Sequence, residues 1–241
     1  MEYPKVKHLY KYCAYNPNSL AILINKMIWA AKPEALNDPF DCKIKFTPPE
    51  INSGVFSKYL KQKGRSTGNR QNDYEIFLKG LQTFEDKDIN KLGVFSMSQI
   101  NDNILMWSHY ANQHKGFCIG FVRNNDNLLG DIEKTQPVEY DCNYPEVDPL
   151  DENGNHGLSI FTKMLFTKAK NWEYEKEWRL VYAEGDKEEP LPAAISSIIF
   201  GLRMPEEHRV TIRNILAGQS NIRYQQAREV EYQFRLEIVD L

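Results

Sequence analysis

The sequence predicts an α+β fold: split, mostly antiparallel β-sheets with surrounding helices and a helical insertion near 50–92, all in one domain spanning 1–241. Three observations lead there. Strand-like runs are segregated along the chain with helices scattered between them, and no regular βαβ rhythm appears. Neither an internal repeat nor a linker of domain-separating length interrupts the 241 residues. A chain of that length can bury a substantial single core.

His8 to Tyr12 reads as a short first strand, and Asn16-Pro17 supplies an N-cap and a first-turn proline for a helix carrying Leu20, Leu23, Ile24 and Met27. Ile28 to Ala31 follows as a second strand. The run from Lys32 to Asp41, with two prolines and Asn-Asp, predicts an ordered loop. Within the insertion, Tyr74, Phe77, Leu78 and Leu81 mark an amphipathic helix, and the polar stretch from Lys61 to Asp73 reads as a mobile loop. Leu92 to Met97 is strand-like. Asn101-Asp102 opens a short helix bearing Ile104, Leu105, Trp107, Tyr110 and Ala111, and Gly116 to Val122 is a buried strand. Val138 to Tyr144 reads as another strand, Pro145 to Gly157 as a loop, and Leu158 to Leu165 as a helix. Near the C-terminus come a strand over Ala194 to Phe200 and a helix from Pro205 to about Ala217-Gly218. Two closing strands cover Ile222 to Gln226 and Val230 to Val239.

The stretch from Trp172 to Tyr182 carries the most chemistry. Read as one strand, it puts Trp172, Tyr174, Trp178, Leu180 and Tyr182 on one side and Glu173, Glu175, Glu177 and Arg179 on the other. Same-face neighbours on a strand lie roughly 6.5–7 Å apart, so two carboxylates could bracket one small ligand without sharing a proton. Arg179 could hold the second acid ionised or grip an anion through two donors. The competing reading is an exposed face whose charges serve solubility.

Composition narrows the function. Apolar residues make up 41% and charged residues 26%, ordinary values for a soluble globular protein, while aromatics reach 12%. A net charge of −3 argues against a protein held mainly by phosphate backbones. Cys13, Cys42, Cys118 and Cys142 form no Cys-x-x-Cys pair, which speaks against structural zinc. No signal-peptide pattern and no membrane-length apolar run occur, so a cytoplasmic protein with reduced thiols is expected.

Other chemistries fit less well. His109 and His114 are five apart, which on a helix turns them about 140° away from each other, whereas a zinc pair needs a spacing of four. Asp41-Cys42-Lys43 is the nearest approach to a magnesium nuclease motif, with Asp38 too close to be a separate first carboxylate. Glu175-x-Glu177 suits glycosidic-bond chemistry, in which a carboxylate steadies an oxocarbenium-like transition state. Ser96-Met97-Ser98 ends a strand with two serines on one side, and Trp107 and Tyr110 follow on a helix. The plain alternatives are a capping device for the serines and a core position for Trp107.

The ordered set LYKY at 9–12, LNDPFD at 36–41, FS at 95–96, the run 103–121 and WEYEKEWRLVY at 172–182 resembles a bacterial family of unknown function, domain-of-unknown-function family 2971. The order of a polar first strand, a Ser-x-Ser strand end and a Glu-x-Glu strand is also similar to the ADP-ribosyltransferase superfamily. That resemblance implies an ADP-ribosyltransferase-like fold and NAD as substrate. It makes Glu177 the catalytic acid and Glu175 the residue orienting the acceptor, although in some branches a single Glu suffices and Glu175 would then be catalytic. Arg179 would assist in positioning the acceptor or the anionic cofactor. Ser96 becomes the pocket serine, Tyr10, Lys11 and Tyr12 fill the first-strand position, and Trp107 and Tyr110 flank the ring. A Lys or Tyr stands where the superfamily has Arg or His. The implied partners are NAD and a macromolecular acceptor, nucleic acid or protein, as for bacterial defence or toxin components, with no metal and no membrane. The rival is a non-catalytic nucleotide or nucleic-acid binding module in which Arg179, Lys168 and Lys170 contact anions.

Overall fold

The computed structural model describes residues 6–64, 66–150 and 156–241. Its framework is one eight-stranded sheet. In chain order the strands of the molecule are β1 (His8–Cys13), β2 (Met27–Ala30), β3 (Lys45–Phe46), β4 (Gly93–Ser98), β5 (Phe117–Val122), β6 (Thr135–Pro137) and β7 (Glu139–Asp141). They continue with β8 (Glu146–Val147), β9 (Thr167–Ala169), β10 (Glu177–Tyr182), β11 (Lys187–Pro190), β12 (Ile195–Phe200), β13 (Arg223–Glu229) and β14 (Leu236–Asp240). The helices are α1 (Pro17–Asn25), α2 (Gly54–Lys63), α3 (Arg70–Thr83), α4 (Ile104–Tyr110), α5 (His156–Phe166) and α6 (Glu206–Ile215).

The large sheet runs β14-β13-β12-β5-β1-β4-β10-β6, and every neighbouring pair is antiparallel except β12 with β13. The expected α+β, mostly antiparallel architecture is therefore present. The expected split is not seen, since all eight strands form one sheet, but that sheet has one narrow join. β1 pairs with β5 over six residues but with β4 at a single pair, Tyr10 with Ser98. Beyond that pair the two strands part.

Alternation along the strands builds a core on each face. Leu9 and Cys13 of β1, Phe95 and Met97 of β4, Phe117, Ile119 and Phe121 of β5, and Trp178 and Leu180 of β10 are buried on one side with Leu23 of α1 and Ile212 of α6. Tyr12, Cys118, Ile199 and Ala227 face the other way and pack on Met106 and Trp107 of α4. Helix α1 starts as its sequence predicts, with Asn16 Oδ1 accepting from Ser19 N at 2.9 Å and Pro17 in the first turn.

Several boundaries differ from the sequence reading. Asn103, not Asn101, caps α4, its Oδ1 accepting from Leu105 N and Met106 N. The polar stretch 61–73 is helical at both ends, α2 running to Lys63 and α3 beginning at Arg70, and between them Asp73 accepts from Ser66 Oγ at 2.9 Å and Thr67 N at 2.8 Å. The strand expected over Val138 to Tyr144 is only β7, and β14 starts six residues later than the expected Val230. Residues 151–155 of the expected loop lie outside the described residues.

The largest correction concerns 172–182. Lys170–Glu175 is a 3₁₀ turn, Lys176 is left-handed at φ 46°, and only Glu177–Tyr182 is strand. Tertiary bonds impose the reversal: Ser98 Oγ donates to Glu175 O at 2.6 Å, Gln99 N to Lys176 O at 3.0 Å and Asn103 Nδ2 to Tyr174 O at 3.3 Å.

Candidate active site

The parting of β1 from β4 opens a recess whose cavity measures about 350 Å³. Registers explain what faces it. Glu177 lies opposite Ser98, Arg179 opposite Ser96, and Tyr10 opposite Ser98, so these side chains and Tyr12 share one face of the sheet. Lys11 belongs by alternation to the other face, next to Leu9 and Cys13. Its ammonium turns into the gap, donating to Ser96 O at 2.9 Å while lying over the Phe95 ring of that same face. Its ammonium thus satisfies a carbonyl that the open ladder leaves without a strand partner. Desolvation lowers its pKa.

On the far wall lies an ionic cluster of Asp41, Lys168, Glu175, Glu177 and Arg179. Arg179 is fully buried, and each of its five N–H donors meets a protein acceptor. Nε donates to Glu177 Oε1 at 2.8 Å, and Nη2 to Glu177 Oε2 at 3.1 Å and Asp41 Oδ2 at 2.6 Å. Nη1 donates to Leu165 O at 2.6 Å and Cys42 Sγ at 3.5 Å. Lys168 joins the two glutamates, donating to Glu175 Oε2 at 2.6 Å and Glu177 Oε2 at 2.9 Å. Tyr110 Oη donates to the other oxygen of Glu175 at 2.5 Å.

Electrostatics follow from this packing. Burial pushes the Glu177 pKa up, but the charges of Arg179 and then Lys168 outweigh it, with Ser96 helping, and bring the carboxyl down to about 2. Lys168 loses by burial and gains more from Glu177 and Glu175, so its pKa is raised. The Tyr110 hydroxyl is raised by burial and by its bond to Glu175. The cavity wall carries Lys11, Lys168 and Arg179 against Asp38, Asp41, Glu175 and Glu177, three cations against four acids, or −1.

The residues singled out by sequence divide as follows. Tyr10, Lys11, Tyr12, Ser96, Tyr110, Glu175, Glu177 and Arg179 all line the cavity. Trp107 does not: it is fully buried, with its indole N–H bonded to Asn101 O at 2.8 Å and its ring edge-on to Tyr12. Arg179 grips Glu177 and Asp41 rather than offering a free fork to an anion. Ser98 serves the turn at Glu175, as the capping reading of Ser-x-Ser has it. The exposed charged face also fails, since Glu175, Glu177 and Arg179 are all buried.

From sequence Lys168 is a candidate anion contact of a binding module, and Asp41 belongs to the Asp-Cys-Lys approach to a metal motif. Both belong to the cluster. Trp172 and Asp38 close one side of the recess through an indole bond of 2.6 Å, and Lys168 lies over the Trp172 ring. Among the described residues no group of three or more His, Cys, Asp or Glu is placed to hold a metal ion. No helix among them is long and apolar enough to cross a membrane.

Comparison with known proteins reaches the same region. The model of a family described as "Protein of unknown function (DUF2971)" matches residues 106–180. That match supports the family. DUF2971's stretch is less than half of the chain, yet it holds Tyr110, Lys168, Glu175, Glu177 and Arg179, while β1, β4 and the loop bearing Asp41 lie before it. No curated protein and no solved structure matches the chain.

Proposed function

We propose that this protein cleaves the glycosidic bond between nicotinamide and ribose in NAD and passes the ADP-ribosyl group to an acceptor. The observation that carries the reading is Glu177: a carboxylate held ionised on the wall of an aromatic-lined recess of net charge −1. Such a site favours a cationic ring and steadies positive charge developing at a sugar carbon. In the reaction the C1′–N1 bond breaks, its electron pair goes to the nicotinamide nitrogen, and nicotinamide leaves neutral. Glu177 stabilises the resulting ribosyl cation. The acceptor's nucleophile then bonds to C1′ and loses its proton.

Other residues have roles that agree with their places. Tyr10 and Tyr12 offer ring surface, Ser96 sits beside Glu177, and Lys11 presents a cation at the seam. Arg179 and Lys168 are positioning residues that keep Glu177 charged. Glu175, held by Tyr110 and Lys168, orients the acceptor. The test is nicotinamide release from NAD, followed by NMR, for wild type and Glu177→Gln. Loss in the variant supports the reading; equal rates, or none from either protein with nucleic-acid and protein acceptors present, overturn it.

One observation favours a second reading, a non-catalytic nucleotide-binding module: the oxygens of Glu177 already accept from Arg179 and Lys168. Under it, NAD raises the melting temperature while nicotinamide stays attached.

A further inference from the structure

A second cavity of about 330 Å³ adjoins the first, and Lys168 lines both. The loop that supplies Asp38 and Asp41 to the first cavity supplies Phe40 and Lys43 to the second. Opposite them stand Cys142, Asn143 and Tyr144, in a turn closed by Asn143 N donating to Asp141 Oδ1 at 2.8 Å. Phe40 and Tyr144 are 65% and 44% exposed, far more than a large apolar ring needs for packing. Two open rings on a concave wall, an exposed lysine and a side-chain amide together suit a planar, hydrogen-bonding group linked to an anion.

We propose that this second cavity seats an unpaired nucleobase of single-stranded nucleic acid. The base stacks on Phe40 and Tyr144, Asn143 meets its polar edge, and Lys43 meets a flanking phosphate. Stacking rather than a phosphate track dominates, because Lys168 is already neutralised by Glu175 and Glu177 and Asp141 offsets Lys43. The shared wall sets the seated nucleotide beside the ionised carboxylate. Its being the acceptor rests on the function proposed above; the binding itself does not.

Cys142 makes the test direct. It lines this cavity and is exposed, whereas Cys13, Cys42 and Cys118 are buried. Fluorescence anisotropy with labelled 12-nucleotide DNA and RNA strands, with no NAD present, is compared for wild type, Phe40→Ala and Tyr144→Ala. Maleimide labelling of Cys142 is timed with and without strand. The expected result is tighter binding of single strands than of the same sequence as duplex, about tenfold or greater weakening in each variant, and slowed Cys142 labelling. A salt slope near that of one phosphate contact, about 0.7, accompanies it. Preference between the DNA and RNA arms names the source of the base. The proposal is overturned by absence of strand binding (the outcome expected of a protein acceptor), by equal binding of duplex, or by binding that the two alanine variants and Cys142 do not sense. Nicotinamide release without strand binding would sink this proposal alone, and strand binding without nicotinamide release would sink only the enzymatic reading. Both aromatic positions are exposed, and circular-dichroism melting confirms that the variants fold.

Discussion

Arg179 grips Glu177 two residues away on the same strand face, Nε to Oε1 at 2.8 Å and Nη2 to Oε2 at 3.1 Å, while Asp41 holds the same guanidinium from a loop 138 residues distant. One buried cation thereby fixes the strand, the loop and the charge state of the proposed catalytic acid.

Removing that cation leaves two carboxylates buried with one fewer counter-charge. Arg179→Met should cost about 3–5 kcal/mol, the loss typical of breaking a buried pair from one side. Urea unfolding checks this; a midpoint within error of wild type would show the cluster to be energetically idle.

Glu177→Gln keeps the shape of the side chain and removes its charge. Nicotinamide release should fall at least about 100-fold, the scale of losing one preorganised electrostatic contact to a transition state. Glu177→Asp, which retains the charge at shorter reach, should recover part of it. A rate lost equally in both variants would point to packing rather than charge.

Acid should weaken the fold through the same residue. The Glu177 pKa falls from the usual 4.5 to about 2 on folding. Its contribution is therefore fully present above pH 4.5 and disappears as pH drops toward 2. The shift corresponds to about 3 kcal/mol. Lys168 acts oppositely, since its raised pKa lends stability below its ordinary value that is lost as pH climbs past the folded one. Unfolding free energies from pH 2 to 6 in wild type and Glu177→Gln provide the check: the variant should show the flatter profile.

Trp107 should behave as core. Trp107→Ala should cost about 3–5 kcal/mol through the cavity it leaves, while Trp107→Phe should retain NAD binding in the folded fraction. Isothermal titration after a stability check separates the two; selective loss of affinity in a stable Trp107→Phe would return the indole to the ligand.

Alternation alone made Glu177, Arg179, Trp178 and Leu180 legible, because strand geometry fixes which face each side chain takes. It misread Glu175, which reaches the cluster from a 3₁₀ turn. A lysine at φ 46° has no local signature, and the reversal at Lys176 is imposed by Ser98, Gln99 and Asn103 from other elements. Asp41 and Lys168 were visible as residues but not as partners, since their pairing is made by packing across the fold. The overall α+β character was legible for the opposite reason, as it rests on local runs and turns. The single pair joining β1 to β4 was not, because strand order is a tertiary property.

Tyr10 and Ser98 are the only rung between two strands that otherwise go their own ways. Sheet margins usually face solvent, where they invite adhesion to other chains and have to be blunted. Here a pair of margins lines a recess instead of forming the outer border of the sheet. Peptide groups freed from ladder duty there find partners within the chain, Ser96 O in the Lys11 ammonium and Val94 in Ala31, so the margin is silenced without being exposed to aggregation.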